Sequence, residues 1–217
     1  MALSSLQYSS NYISVEDYLK YEETSETKNE YADGKILTMS GTSLHHNRIA
    51  KNVVLVMESQ FEGRACETFI VDIRLRTRET RFRYPDVMAL CGQPNTDNLR
   101  PPCLLNPQVI VEVLSDSTML IDLNEKLDEY IQIDTLTDYL LFAQDRMWAR
   151  HHIKQDSATW LTRTYTKPQD TIRIEAIDVA LTLADVYRKV NFAVEAKATE
   201  DDGNAAPDAV RDAAPLF

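Results

Sequence analysis

The hydrophobic pattern is clearest in the first third of the chain. Ile49, Val53, Val54, Val56, Met57 and Phe61 recur at roughly helical spacing, which predicts a helix from a Ser43 cap to Phe61. Gly63 stands where such a helix stops. Upstream, Ser14-Val15-Glu16-Asp17 has the form of a capping box ahead of a short helix with Tyr18 and Leu19. Residues 22–29 are charged and polar, a turn or a short solvated helix. Asp33-Gly34 separates two short strand-like runs and predicts a hairpin, because a type I′ turn needs positive φ at both central residues.

The pattern then changes to period two. Over 66–77 Phe69, Val71, Ile73 and Leu75 alternate with Asp72, Arg74, Arg76 and Arg78, which predicts one strand with an arginine face. A turn near Glu79-Thr80 leads to a second strand over 82–90, and 95–107 is a proline-marked loop. Residues 108–114 are a continuous apolar run broken only by Glu112, the signature of a central strand. A helix is expected over 122–133, with Leu123, Leu127, Tyr130 and Ile131 on one side. A buried strand follows at 138–143, an edge hairpin at 147–154 and 159–166, and a final helix at 179–190 with Leu183, Val186 and Tyr187. This order gives an α/β or α+β sandwich: a mixed β-sheet flanked by helices, with an added N-terminal helix and hairpin and a C-terminal hairpin and helix. No internal repeat is present.

Composition adds bounds. The 217 residues suit one domain, expected over 14–190 between a flexible 1–13 and an acidic, disordered tail at 191–217. No apolar run is long enough for a membrane span and no signal peptide is expected. Cys66, Cys91 and Cys103 lack metal-ligand spacing and lie in or near apolar segments, so reduced, mostly buried thiols and a cytoplasmic location are expected. A net charge of −11 counts against a general nucleic-acid binder, since phosphate affinity rests on Lys and Arg; any such reading needs a local basic surface. Five glycines and no Gly-rich loop give no phosphate cradle.

The anomaly is Glu112. A carboxylate inside Val109-Ile110-Val111-Glu112-Val113-Leu114 is costly to bury unless paired or metal-bound; the competing reading is an acid at a strand end that reaches water. Asp86, after Pro85 and before Val87-Met88-Ala89-Leu90, repeats the pattern. Acids on consecutive strands can lie side by side, and each then raises the other's pKa unless a cation compensates. Hard carboxylate ligands without His or Cys clusters point to Mg²⁺ or Mn²⁺.

The layout resembles the PD-(D/E)XK nuclease superfamily, whose acids stand on the second and third strands of a restriction-endonuclease-like core. More closely, the chain resembles the Uma2 family, also called the domain of unknown function 820. The resemblance rests on Ser14-Val-Glu-Asp-Tyr-Leu, Asn29-Glu30-Tyr-Ala-Asp-Gly34, His46-Asn-Arg-Ile-Ala50, Tyr84-Pro-Asp-Val87, Val111-Glu-Val-Leu-Ser115 and Asp122-x-x-x-Lys126-x-x-x-Tyr130, in order from about 14 to 190. It implies a metal-dependent endonuclease acting on DNA, with Asp86 and Glu112 on Mg²⁺, Glu30 as an additional acid that completes the metal shell or holds a metal-bound water, and His46, Asp122 and Tyr130 in support. The superfamily lysine two residues after the second acid is absent; Leu114 holds that position. Lys126 offers a replacement from a helix, against a competing reading as a solvated lysine near Glu125 and Glu129. Tyr130 shares its helix face and can orient the amine or belong to the core.

The arginines supply a candidate basic surface. Arg74, Arg76 and Arg78, with Arg81 and Arg83 on the return strand, would contact a DNA backbone without reading sequence; a solvated strand face is the alternative. Two other functions stay open: a nuclease-fold DNA-binding protein that does not cleave, suggested by Leu114, and an interaction protein using its acidic tail. A homodimer, common where such folds cut two strands, is not specified by any residue.

Overall fold

The computed structural model describes residues 12–39, 41–70, 72–115, 119 and 121–192. The acidic tail expected from 191 lies outside them except for Asn191 and Phe192. Of the N-terminal segment only Tyr12 and Ile13 are described, and Ile13 is bonded to the first hairpin through Gly34 O (2.9 Å) and Tyr31 Oη (2.7 Å).

The start of the chain follows the sequence. Helix α1 (Val15–Thr24) begins where Ser14 Oγ accepts the Asp17 N–H, and it runs on into the start of the polar stretch read as a turn or a short solvated helix. Strands β1 (Asn29–Ala32) and β2 (Lys35–Thr38) close on Asp33 (φ 47°) and Gly34 (φ 94°). Ser43 Oγ accepts the His46 N–H and starts α2 (Leu44–Phe61).

The next expectation is corrected. The strand predicted over 66–77 is two, β3 (Cys66–Ile70) and β4 (Leu75–Arg78), and the return strand is also two, β5 (Arg81–Arg83) and β6 (Val87–Cys91). One long hairpin is shared between two sheets. β3 and β6 enter a six-stranded sheet ordered β10-β9-β8-β7-β6-β3, while β4 and β5 join the first hairpin in a four-stranded sheet ordered β2-β1-β5-β4. Pro85 lies at the break; it has no N–H to give a ladder.

The six-stranded sheet holds the centre. β7 (Val109–Leu114) runs antiparallel to β6 and parallel to β8 (Asp138–Ala143), and every residue of β7 and β8 is buried. Side chains alternate across it. Val109, Val111 and Leu140 face α2 with Ile49, Val53 and Met57. Ile110, Leu114, Leu141 and Met88 face the other way, toward Tyr130 and Leu127. Glu112 belongs to this second face.

The helix expected over 122–133 is instead a π-helical turn, Ile121–Glu125, continued by α3 (Lys126–Tyr130). The edge hairpin β9 (Ala149–Lys154) and β10 (Trp160–Tyr165) is as predicted. The final helix is not. β11 (Thr171–Ile174) pairs with β12 (Val179–Thr182), and only α4 (Leu183–Val186) is helical. Val179 and Leu181 alternate as in a strand, then Leu183 and Val186 follow at helical spacing; the join of two periods reads as one helix.

The thiol expectation also changes. Cys66 and Cys91 face each other in the β3–β6 register and form a disulfide, leaving Cys103 free and buried. The reduced-thiol argument for a cytoplasmic location thus falls on Cys103 alone. Among the described residues no helix is long and apolar enough to cross a membrane.

Candidate active site

Five elements deliver the site. β1 carries Glu30, the residue before β6 is Asp86, β7 carries Glu112, the π-helical turn carries Asp122, and α3 opens with Lys126 and ends with Tyr130. All six side chains are buried. The Lys126 ammonium is their meeting point: Nζ lies 2.9 Å from Glu112 Oε1, 3.1 Å from Glu30 Oε1 and 3.1 Å from Asp122 Oδ1. The lysine therefore reaches the second acid from the helix.

The backbone fixes the acids in turn. Val113 N–H donates to Asp86 Oδ2 at 2.7 Å, which locks the carboxylate before β6 onto the neighbouring strand. Tyr130 Oη donates to Glu112 Oε1 at 2.9 Å. Tyr139 Oη donates to the Asp122 carbonyl at 3.0 Å and secures the π-helical turn. From the opposite layer His46, in the first turn of α2, brings Nε2 to 3.2 Å from Asp86 Oδ2.

Charge is crowded here. Burial, with Asp122, Asp86 and Glu30 adding to it, pushes the Glu112 carboxyl up to about 8 against the pull of Lys126. Burial alone would lower Lys126, but Asp122, Glu112 and Glu30 outweigh it and hold the ammonium well above its usual range. Lys126 is thus held as a cation that donates to the surrounding acids. Burial also opposes ionisation of Glu30, yet Lys126, Arg83 and the Tyr84 N–H overcome it and lower its pKa.

Three comparisons place this geometry. The model of the Uma2 family, described as "Putative restriction endonuclease", matches residues 15–185. The chain belongs to the Uma2 family. Its relatives include two uncharacterized proteins of Synechocystis sp. One, sll1609, is 33% identical over 150 residues, covering 69% of this chain and 85% of its own. The other, slr1290, is 30% identical over 184 residues, covering 83% and 94%. The crystal structure of a "putative nuclease belonging to DUF820" from Anabaena variabilis superposes with a TM-score of 0.67 at 18% identity, covering 81% of this chain and 97% of that one. The mixed sheet flanked by helices is therefore the fold of that nuclease-like structure.

Within this Uma2 fold the predicted arginine surface breaks up. Arg83 is wholly buried and bonds Glu30 Oε2 (3.0 Å), Glu129 Oε2 (2.8 Å) and Glu125 Oε1 (2.7 Å). Arg81 is held by Asp33 (2.6 Å), Glu129 (2.8 Å) and Glu125 (2.9 Å). Arg74 precedes β4, is buried, and donates to Pro101 O at 2.9 Å beside Tyr18 and Phe82. Arg83 and Arg74 are buried, and Arg81 is half-buried with its charge taken by three carboxylates, so the expectation that they form an open DNA-contacting face is corrected: all three lie on the four-stranded-sheet side of the hairpin, packed against Tyr18 and Phe82 or paired with Glu125 and Glu129. Arg76 lies over the Phe82 ring, 3.8 Å from Asp97, and Arg78 is exposed at the end of β4.

Sequence reasoning missed Glu129 as the main partner of Arg83. Glu129 also accepts a hydrogen bond from Thr77 Oγ1. Its spacing of three from Lys126 puts it one turn along α3, but nothing local to α3 says that an arginine some 46 residues earlier lies beneath it.

The site suits a hard divalent cation in donor chemistry. Among the described residues no three His, Cys, Asp or Glu side chains are already assembled into a ligand cage. The oxygens nonetheless have capacity to spare. Among the described residues Glu112 Oε2 takes only the 3.4 Å N–H of Asp86, and buried Asp122 Oδ1 lacks a well-directed hydrogen bond despite its 3.1 Å approach to Lys126. Glu30 differs: Tyr84 N–H, Lys126 and Arg83 engage both of its oxygens.

Proposed function

We propose that the protein is a Mg²⁺-dependent endonuclease that hydrolyses phosphodiester bonds of DNA, through a nuclease-like domain spanning 14–190. The observation that carries this reading is the arrival of Lys126 Nζ from α3 at 2.9 Å from Glu112, which supplies from a helix the amine that Leu114 denies to the strand. Membership of the Uma2 family and the likeness to a nuclease-like structure support the reaction class.

Asp86 and Glu112 would hold Mg²⁺, or Mn²⁺ in its place. Such an ion, when bound, polarises a phosphate and lowers the pKa of water. The protein's own part is positional and electrostatic. Val113 N–H and His46 keep the Asp86 carboxylate aimed past the end of β6. Lys126 offers a cation to charge developing on the phosphate, and a fixed dipole or charge in a buried site costs no reorganisation during reaction. Glu30, expected as a third metal ligand, instead acts by holding Lys126 in place, since Tyr84 N–H, Lys126 and Arg83 already engage both of its oxygens. Tyr130 aligns Glu112.

Asp86→Asn and Glu112→Gln are expected to abolish cleavage of DNA in Mg²⁺ while leaving the fold intact by circular dichroism. Robust cleavage by both purified variants would refute the site. Retained binding without cleavage by the wild-type chain in Mg²⁺ and Mn²⁺ would favour the non-cleaving alternative.

A further inference from the structure

The acids of the protein neutralise most of the arginines that the sequence offers as backbone contacts, and at a net charge of −11 a bound strand needs a cation that no carboxylate has claimed. Arg150 fits that need. Glu112 is in register with Leu141 on β8, Leu141 with Arg150 on β9, and Arg150 with Thr164 on β10. Residues in register on neighbouring strands share a face, so Arg150 stands on the Glu112 face of the sheet, two strands or about 10 Å away.

The local surroundings of Arg150 are those of a held cation. Its guanidinium lies 5.1 Å from the Trp148 ring centroid, and Arg146 lies over the same ring at 5.8 Å. Asp145 neutralises Arg146 at 2.8 Å. No carboxylate among the described residues pairs with Arg150, and its buried Nε has no hydrogen-bond partner. An arginine stacked on tryptophan is restrained in its plane while its N–H edge remains able to meet a planar anion.

We propose that Arg150, stacked on Trp148, is a phosphate subsite that takes the nucleic-acid backbone one or two nucleotides from the scissile bond. It rests on the nuclease reading above and adds to it the path of the bound strand: from the carboxylates, across β8, to the edge hairpin. Trp148 restrains the guanidinium and leaves base recognition aside, so the subsite is indifferent to sequence.

The test uses the full chain carrying Glu112→Gln, which binds without cutting, and a fluorescein-labelled oligonucleotide as single strand and as duplex. At about 0.1 M salt, adding Arg150→Ala is expected to weaken binding about fivefold to tenfold and to reduce the slope of log affinity against log salt by about one. Arg150→Lys should restore the slope with part of the affinity. Both tryptophans of the chain, Trp148 and Trp160, border this face, so their emission should change on binding in the parent and not in Arg150→Ala. Should Arg150→Ala fail to fold, Arg150→Gln takes its place. Unchanged affinity and slope in a folded Arg150 variant overturn the subsite, as does a parent that binds neither oligonucleotide. Cleavage by the wild-type chain is scored separately. A chain that cleaves with the same KM when Arg150 is replaced loses the subsite and keeps the nuclease reading; one that binds through Arg150 and never cleaves does the reverse.

Discussion

At the scale of single residues, the site is a lysine enclosed by acids. Lys126→Met would leave the Glu30 and Asp122 carboxylates buried with their common counter-charge gone, and would remove the cation that pulls against the rise of the Glu112 carboxyl. Breaking a buried ion pair by removing one partner costs roughly 3–5 kcal/mol, and urea denaturation should register a loss of that order. A loss within experimental error would show that the three acids do not depend on the ammonium. Arg83 makes the same point one layer out. It ties β1 to α3 by bonding Glu30 and Glu129 at once. A lysine presents a single ammonium and cannot span both with a planar fork, so Arg83→Lys is expected to destabilise by about 1.5–3 kcal/mol and to slow cleavage through the loosened Glu30, with denaturant midpoint and rate measured on one preparation. Glu112 and Asp86 are legible in the sequence because a carboxylate within or beside an apolar strand is conspicuous, whereas Glu30 and Asp122 come only with the family resemblance. Arg83 was misread because alternation gives only a side of the strand; whether that side meets water or α3 depends on which element lies over it.

At the scale of elements, legibility follows period and interruption. β8 is read correctly because its apolar run is short and nearly unbroken, α2 because one helical period runs through it, and the Asp33-Gly34 turn because its backbone demands are specific to those residue types. The hairpin between α2 and β7 is misread because its alternation continues through a change of sheet, and β12 because a strand and a helix abut. The turn itself can be tested. Gly34 has φ 94°, and a Cβ there would stand 2.2 Å from a Tyr12 ring carbon. The ring is an exposed, movable side chain, so the lasting cost of Gly34→Ala is the backbone conformation, about 1–3 kcal/mol. Because β1 carries Glu30, cleavage should decline along with the thermal midpoint. An unchanged midpoint would mean that the turn relaxes at no cost. The π-helical turn has no such signature in its sequence: Asp122, Lys126 and Tyr130 at intervals of four suit an α-helix equally well, and the wider turn appears only in the structure.

At the scale of the whole molecule, the buried titratable groups predict a stability dome against pH. Burial, with Arg150 and His151 beside it, lowers the His152 imidazole to about 4. The unfolded chain takes up that proton near the ordinary histidine value of about 6.5, so as pH falls from there toward 4 the unfolded state gains protons first and stability drops. Glu112 acts in the opposite sense. Its folded carboxyl holds a proton up to about 8, whereas the unfolded one releases it near 4.3; its contribution is complete below the unfolded value and is lost as pH rises through 8. Glu30 and Glu129 have lowered values in the fold, so their contributions are lost in acid as the unfolded carboxyls protonate. Stability should therefore peak between the two limbs. Urea midpoints measured across pH are expected to lose the shallow acid limb in His152→Gln and the alkaline limb in Glu112→Gln, each variant leaving the other limb in place. A wild-type chain whose midpoint stays level from pH 6 through 9 would show that Glu112 is already ionised in the fold with Lys126 beside it and no metal ion present, and its burial would then no longer argue for a second cation at the site.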